Sequence, residues 1–186
     1  MRSTRGGHAG GNRRYDANGK PLTILNKQAT LPSELRLSTD LDQFIAEGGN
    51  LKFVNEGDIM SFVVRIKVTL GIYSGYNFDF LFQIPDDFPI TAPKVSCLTP
   101  VYHPNIDGKD VCISTIRGSY SPNTTISGHV RSLSFLFSYP NPDDPLDGEA
   151  GLEYSTDLEA FKERAIELCR KHCPSDSDPL LDSLKN

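Results

Sequence analysis

Between residues 51 and 97 apolar side chains recur at every second position: Leu51 and Phe53, then Phe62, Val64, Ile66 and Val68, then Phe78, Phe80, Phe82 and Ile84, then Val95 and Cys97. Period two puts each set on one face of a strand, so a layer of rings and branched chains must be covered by something else. The intervening segments NEGD and GIYSGY are made of turn residues. Four strands joined in this way form an antiparallel meander with one face covered.

Helical spacing flanks the meander and supplies the cover. Leu37, Leu41, Phe44 and Ile45 share one face of a first helix over roughly 33 to 47, with Gly48-Gly49 as a stop. Ile126, Val130, Leu133 and Phe137 predict a second helix, capped by Thr124 or Thr125 and ending before Pro140. The stretch PNPDDPL admits neither helix nor inner strand and reads as a rigid turn. A last helix is expected to open at a capping box of Thr156 with Glu159, to present Leu158, Phe161, Ala165 and Leu168, and to stop before Pro174. The class is therefore α+β: an N-terminal helix, a four-stranded antiparallel meander, a long loop, then C-terminal helices.

The chain has 186 residues, 38% apolar and 23% charged, which suits one globular domain with tails. No apolar stretch approaches the roughly 18 residues of a membrane span, and the start MRSTRGGHAG lacks the apolar core of a secretory signal. Four cysteines, at 97, 112, 169 and 173, are too few and too irregular for a disulfide scaffold. A cytoplasmic and nuclear location is expected, with no membrane partner. The net charge of −5 is asymmetric: residues 1–30 carry six bases against Asp16 alone, leaving −10 for the rest. A body that acidic argues against nucleic acid as a partner, since phosphate neutralisation dominates such binding. The expected organisation is a flexible basic extension at 1–30, a core domain at 31–174 and a tail at 175–186, whose sequence is too short to assign a fold.

After Val101 the chain turns irregular for some twenty residues, long for a compact domain unless the loop is functional. Cys112 lies within it, seven residues after Asn105 of His103-Pro104-Asn105. The proline fixes the backbone, so the asparagine amide can be aimed at what sits on the nearby sulfur. A thiol hydrolase would need a histidine base; His103 is the nearby candidate, and no matching acid orients it.

The motifs stand in register with a known family. FP at 88–89, PKV at 93–95, YHPNI at 102–106, Cys112, SP at 121–122 and PNPDDPL at 140–146 together resemble the ubiquitin-conjugating enzymes, over about residues 33–173. The resemblance implies that Cys112 accepts a ubiquitin-like modifier as a thioester from an activating enzyme and passes it to a lysine. It gives Asn105 the role of oxyanion donor or of holding the active-site loop, and leaves His103 and Pro104 to shape that loop. Asp144 matches the residue that orients the attacking amine and takes its proton, a task needed because free lysine holds its proton to about pH 10.4. The alternative for Asp143 and Asp144 is to cap the turn. Two departures stand out: the asparagine-to-cysteine interval is one short of the family's habit, with Gly108 early in it, and Tyr120 replaces a common tryptophan, which brings a hydroxyl that needs a partner.

Within the family, KVSCLTPVYHPNI, ELRLSTDLDQF and LFSYPNPDDPLDGEA resemble the conjugating enzymes of the neddylation pathway. That branch also carries a tail of about 30 residues which docks on its heterodimeric activating enzyme. Leu22, Ile24 and Leu25, with Arg36 on the first helix, are the docking candidates here, although Arg2 replaces the large apolar residue that follows Met1 in the branch. Ile90, Pro122 and Asn123 are the positions implied to contact a RING-type ligase, cullin-associated in that branch; the alternative for Ile90 is to cover the core edge. The resemblance implies no cofactor on this chain, ATP being used by the activating enzyme, and a monomer. A ubiquitin-conjugating enzyme proper, or a non-catalytic scaffold of the same fold, are the competing readings. Cys97 is expected in the core, and no metal is expected at Cys169, His172 and Cys173, which lack a second pair of ligands nearby.

Overall fold

The computed structural model describes residues 31–112 and 120–180. The docking candidates Leu22, Ile24 and Leu25, like the rest of the 1–30 extension, lie outside the described residues.

Helix α1 spans Pro32–Ala46, with the proline in its first turn, where a missing N–H costs nothing. Six strands follow: β1 (Leu51–Phe53), β2 (Ser61–Lys67), β3 (Asn77–Gln83), β4 (Lys94–Cys97), β5 (Ile106–Asp107) and β6 (Asp110–Val111). They form one antiparallel sheet in the order β1-β2-β3-β4-β6-β5. The meander is as the alternation implied, with Phe62 opposite Phe82, Val64 opposite Phe80 and Ile66 opposite Phe78. The loop after Val101 adds a small hairpin, which turns through Gly108 at φ +56°, a conformation open to glycine.

Helix α2 (Ile126–Ser138) lays Ile126, Leu133 and Phe137 into the core. The Phe137 ring stacks on Phe78 with centroids 4.2 Å apart and meets Tyr73 edge-on at 5.3 Å. Both phenylalanines are fully buried, worth about 2–3 kcal/mol each. Thr125 is the cap, its hydroxyl accepting from the Gly128 N–H at 3.1 Å.

The capping box is overturned. Thr156 closes a further helix, α3 (Gly148–Thr156), and its hydroxyl donates back to the Leu152 carbonyl at 2.8 Å. Glu159 pairs with Lys162 instead. Asp157 caps the next helix, α4 (Leu158–His172), accepting from the Ala160 N–H at 3.1 Å. Leu158, at the first position of this helix, is exposed, and Phe161, Ala165 and Cys169 form the buried face.

The chain then folds back. Residues 174–180 cross the outer face of the sheet, and Leu180 packs on Val63 and Leu98. The part of the expected tail that is described is thus attached to the domain.

Candidate active site

The site is assembled from the β4–β5 connection, the hairpin and the turn before α3. His103 is fully buried, and both its ring nitrogens are used: Nδ1 accepts from the Asn105 N–H at 2.9 Å, and Nε2 donates to the Leu136 carbonyl at 3.2 Å. That pattern is the neutral imidazole. Burial pushes its pKa down to about 3, the bond to Leu136 opposing the shift. A ring so placed cannot serve as a base near neutral pH, which removes the thiol-hydrolase reading.

Pro104 and Asn105 fasten the PNPDDPL turn. The Pro104 carbonyl accepts from the N–H groups of Leu146 at 2.7 Å and Asp147 at 3.0 Å. The Asn105 side chain, in a residue only 2% exposed, donates to the carbonyls of Asn141 at 2.8 Å and Asp144 at 3.3 Å, while its oxygen accepts from the Asn141 N–H at 2.8 Å. Its main-chain carbonyl receives the N–H of Cys112 at 2.9 Å. One residue therefore links the backbone of the thiol to the turn that carries Asp144. Both amide donors are committed to carbonyls, so here the amide is seen holding the loop, and the 3.3 Å bond to Asp144 is the weaker of the two.

Cys112 follows β6 and is half-buried. Asp144 is exposed, its backbone fixed by Asn105. Asn141, which the sequence reading passed over, caps the turn: its Oδ1 accepts from the Asp143 N–H at 3.1 Å. The signal was the Asn-Pro pair at 141–142, a turn initiator. Asp143, also exposed, makes no side-chain capping bond among the described residues.

The positions implied for ligase contact lie on two tethered loops. Ile90 is 72% exposed, so it does not cover the core edge. Pro122 and Asn123 are exposed as well. The Tyr120 hydroxyl has its partner, donating to the Pro89 carbonyl at 2.7 Å, and the ring stacks on His129 at 5.9 Å. Arg36 joins the same assembly rather than projecting freely from α1. Its Nε donates to Asp40 at 3.0 Å, Nη1 to the Pro122 carbonyl at 3.0 Å and Nη2 to that of Thr124 at 3.4 Å, with Phe88 beneath its plane at 5.8 Å.

Among the other thiols, Cys97 is buried, donates to the Thr99 carbonyl at 3.2 Å and is pushed up to about 12 by burial. Cys169 points into the core while His172 is exposed, so the two do not converge.

The domain seats the half-buried Cys112 just past a hairpin and, through Asn105, holds next to that segment a turn bearing the exposed Asp144. Residues 33–169 match the ubiquitin-conjugating enzyme family, and the chain belongs to that family. It is 39% identical over 136 residues to the probable NEDD8-conjugating enzyme Ubc12-like of Arabidopsis thaliana, covering 72% of each chain. Against the NEDD8-conjugating enzyme UBC12 of Yarrowia lipolytica it is 33% identical over 138 residues, 73% of this chain and 77% of that one. Nedd8-conjugating enzyme UbcE2M of Drosophila melanogaster is 33% identical over 143 residues, 76% and 79% respectively. The chain is a ubiquitin-like-protein-conjugating transferase, whose partner classes are a ubiquitin-like modifier, an activating enzyme and a ligase.

Proposed function

We propose that Cys112 carries the neddylation modifier as a thioester and delivers it to a substrate lysine. The sulfur forms a bond to the carbonyl carbon of the modifier's terminal glycine and displaces the thiol of a heterodimeric activating enzyme, which has used the ATP; this chain needs no cofactor of its own. The lysine amine then attacks that carbonyl, the carbon–sulfur bond breaks, and an isopeptide remains. Asp144 orients the amine and takes its proton. Asn105 holds the turn that carries Asp144, and it can serve the oxyanion when its weaker bond to the Asp144 carbonyl opens.

The observation that carries this reading is the double hold of Asn105, through its carbonyl on Cys112 and through its amide on the 141–144 turn. Exposed Ile90, Pro122 and Asn123 receive a RING-type, cullin-associated ligase, a single exposed isoleucine flanked by prolines making a small hot spot. Leu22, Ile24 and Leu25 of the basic 1–30 extension dock on the activating enzyme; Arg36, tied to Asp40 and the Pro122 loop, supports the ligase face instead. The chain works as a monomer in the cytoplasm and nucleus, away from membranes and nucleic acid.

The modifier is tested by charging the chain with the neddylation modifier and with ubiquitin, each with its own activating enzyme and ATP. A reducible adduct with the neddylation modifier, slowed by deleting residues 1–28, is the expected result. An adduct with ubiquitin alone would overturn the choice of modifier, and unchanged charging of the truncated chain would overturn the docking role.

A further inference from the structure

The acidic segment after α4 is strapped to the outer face of the sheet. Asn77 Nδ2 donates to the Pro174 carbonyl at 3.1 Å and to Asp176 at 2.9 Å, and Lys67 pairs with Asp176 at 2.7 Å. Arg65 forms a bidentate pair with the fully buried Asp79, at 2.7 and 2.8 Å, and spends Nη1 on the carbonyls of Ser175 at 2.9 Å and Asp178 at 2.7 Å. Leu180 then closes over Val63 and Leu98, with Val54 and Leu81 at the margin. The strap thus covers both an apolar patch and a buried ion pair on the outer face of the sheet.

Its centre is a small turn that depends on one carboxylate. Asp178 Oδ2 accepts the Ser175 N–H at 2.7 Å, the Asp178 N–H returns to the Ser175 carbonyl at 3.2 Å, and the two serine hydroxyls, Ser175 and Ser177, lie 2.9 Å apart. Ser175 is exposed and is followed by acids at the first and third positions beyond it, in Ser-Asp-Ser-Asp. Flanking carboxylates of this kind suit a kinase with a basic substrate cleft, since Arg and Lys make strong charge-assisted hydrogen bonds to carboxylates.

We propose that Ser175 is a phosphorylation site for an acid-directed serine kinase, and that its phosphate unlatches residues 174–180 from the sheet. The γ-phosphoryl group of ATP passes to the Ser175 oxygen, the hydroxyl proton is lost and ADP leaves. The sign of the effect follows from the local charges. Arg65 pairs with Asp79 and Lys67 with Asp176, and the Asp178 carboxylate adds to the negative field at Arg65, so two cations face three carboxylates. A group of about −1.5 to −2 on Ser175 arrives beside the carboxylate that holds its own N–H, and like-charge repulsion opens the turn. Opening frees Arg65 Nη1 and uncovers Val63, Leu98 and Leu81. The proposal is independent of the chemistry assigned to Cys112.

The test uses the full chain, with casein kinase 2 and MgATP as the probe. Fragment mass spectrometry is expected to place one phosphate on Ser175, lost in Ser175→Ala and kept in Ser177→Ala. Hydrogen exchange at the 175–180 amides is expected to quicken about tenfold or more in the phosphorylated chain, with exchange in α2 unchanged. No phosphate on Ser175, or a phosphate with exchange at 175–180 unaltered, would overturn it.

Discussion

Asn105 and Asn141 bind each other reciprocally: the Asn105 amide donates to the Asn141 carbonyl at 2.8 Å, and the Asn141 N–H returns to the Asn105 oxygen at 2.8 Å. These residues lie 36 positions apart in the chain, and their pairing is what brings the acidic turn to the thiol.

Asn105→Ala removes three side-chain hydrogen bonds and leaves two carbonyls and one N–H to find water. A loss of about 2–4 kcal/mol in stability is expected, read by denaturant melts, together with faster exchange at the 141–147 amides. An unchanged melt would show that the turn is held by Pro104 alone.

Acid should weaken the fold through its buried histidines. The folded pKa values of His103, about 3, and His129, about 4, lie below the ordinary 6.5, and burial is the main cause for each. The neutral rings are favoured in the native state, so their contribution is complete above pH 6.5 and is lost as pH falls toward 4. At pH 4 the loss is roughly 3 kcal/mol for each. His103→Gln should flatten the pH–stability curve between 6.5 and 4, and a curve as steep as wild type would contradict the assignment.

Arg36→Ala cuts the ties from α1 to Asp40 and to the Pro122 and Thr124 carbonyls. Discharge stimulated by the ligase is expected to fall severalfold, while discharge to free lysine without ligase stays near wild type. Equal losses in both assays would mean that Arg36 supports the whole domain rather than this loop.

Asp144→Ala keeps the backbone carbonyl that Asn105 holds and removes only the carboxylate. Charging is expected to be normal, and discharge to free lysine to slow by about 10²-fold or more, the usual scale for a lost general base. Discharge at the wild-type rate would end its assigned role.

What the sequence showed and what it concealed divide along physical lines. The two central strands of the meander and α2 were legible because their apolar residues repeat with a period over seven or more positions. Helix α3 was not: GEAGLEYST has two glycines and no apolar stripe, and Gly151 is there because a side chain would collide with Pro145, a Cβ falling 2.6 Å from it. Strands β5 and β6 have two residues each, too short for any period. The motif residues around Cys112 could be named from their resemblance to a family, yet the linkage through Asn105 needs main-chain atoms of a turn far along the chain. The same holds for Arg36, whose role is set by two carbonyls more than 80 positions away.

The central claim is that Cys112 is the carrier sulfur, and Cys112→Ser tests it most directly. After charging with the neddylation modifier, its activating enzyme and ATP, the wild-type adduct should vanish on a reducing gel, whereas the serine variant should form an ester that survives thiol. A reducible adduct that persists in Cys112→Ser would place the modifier on another cysteine and contradict the account.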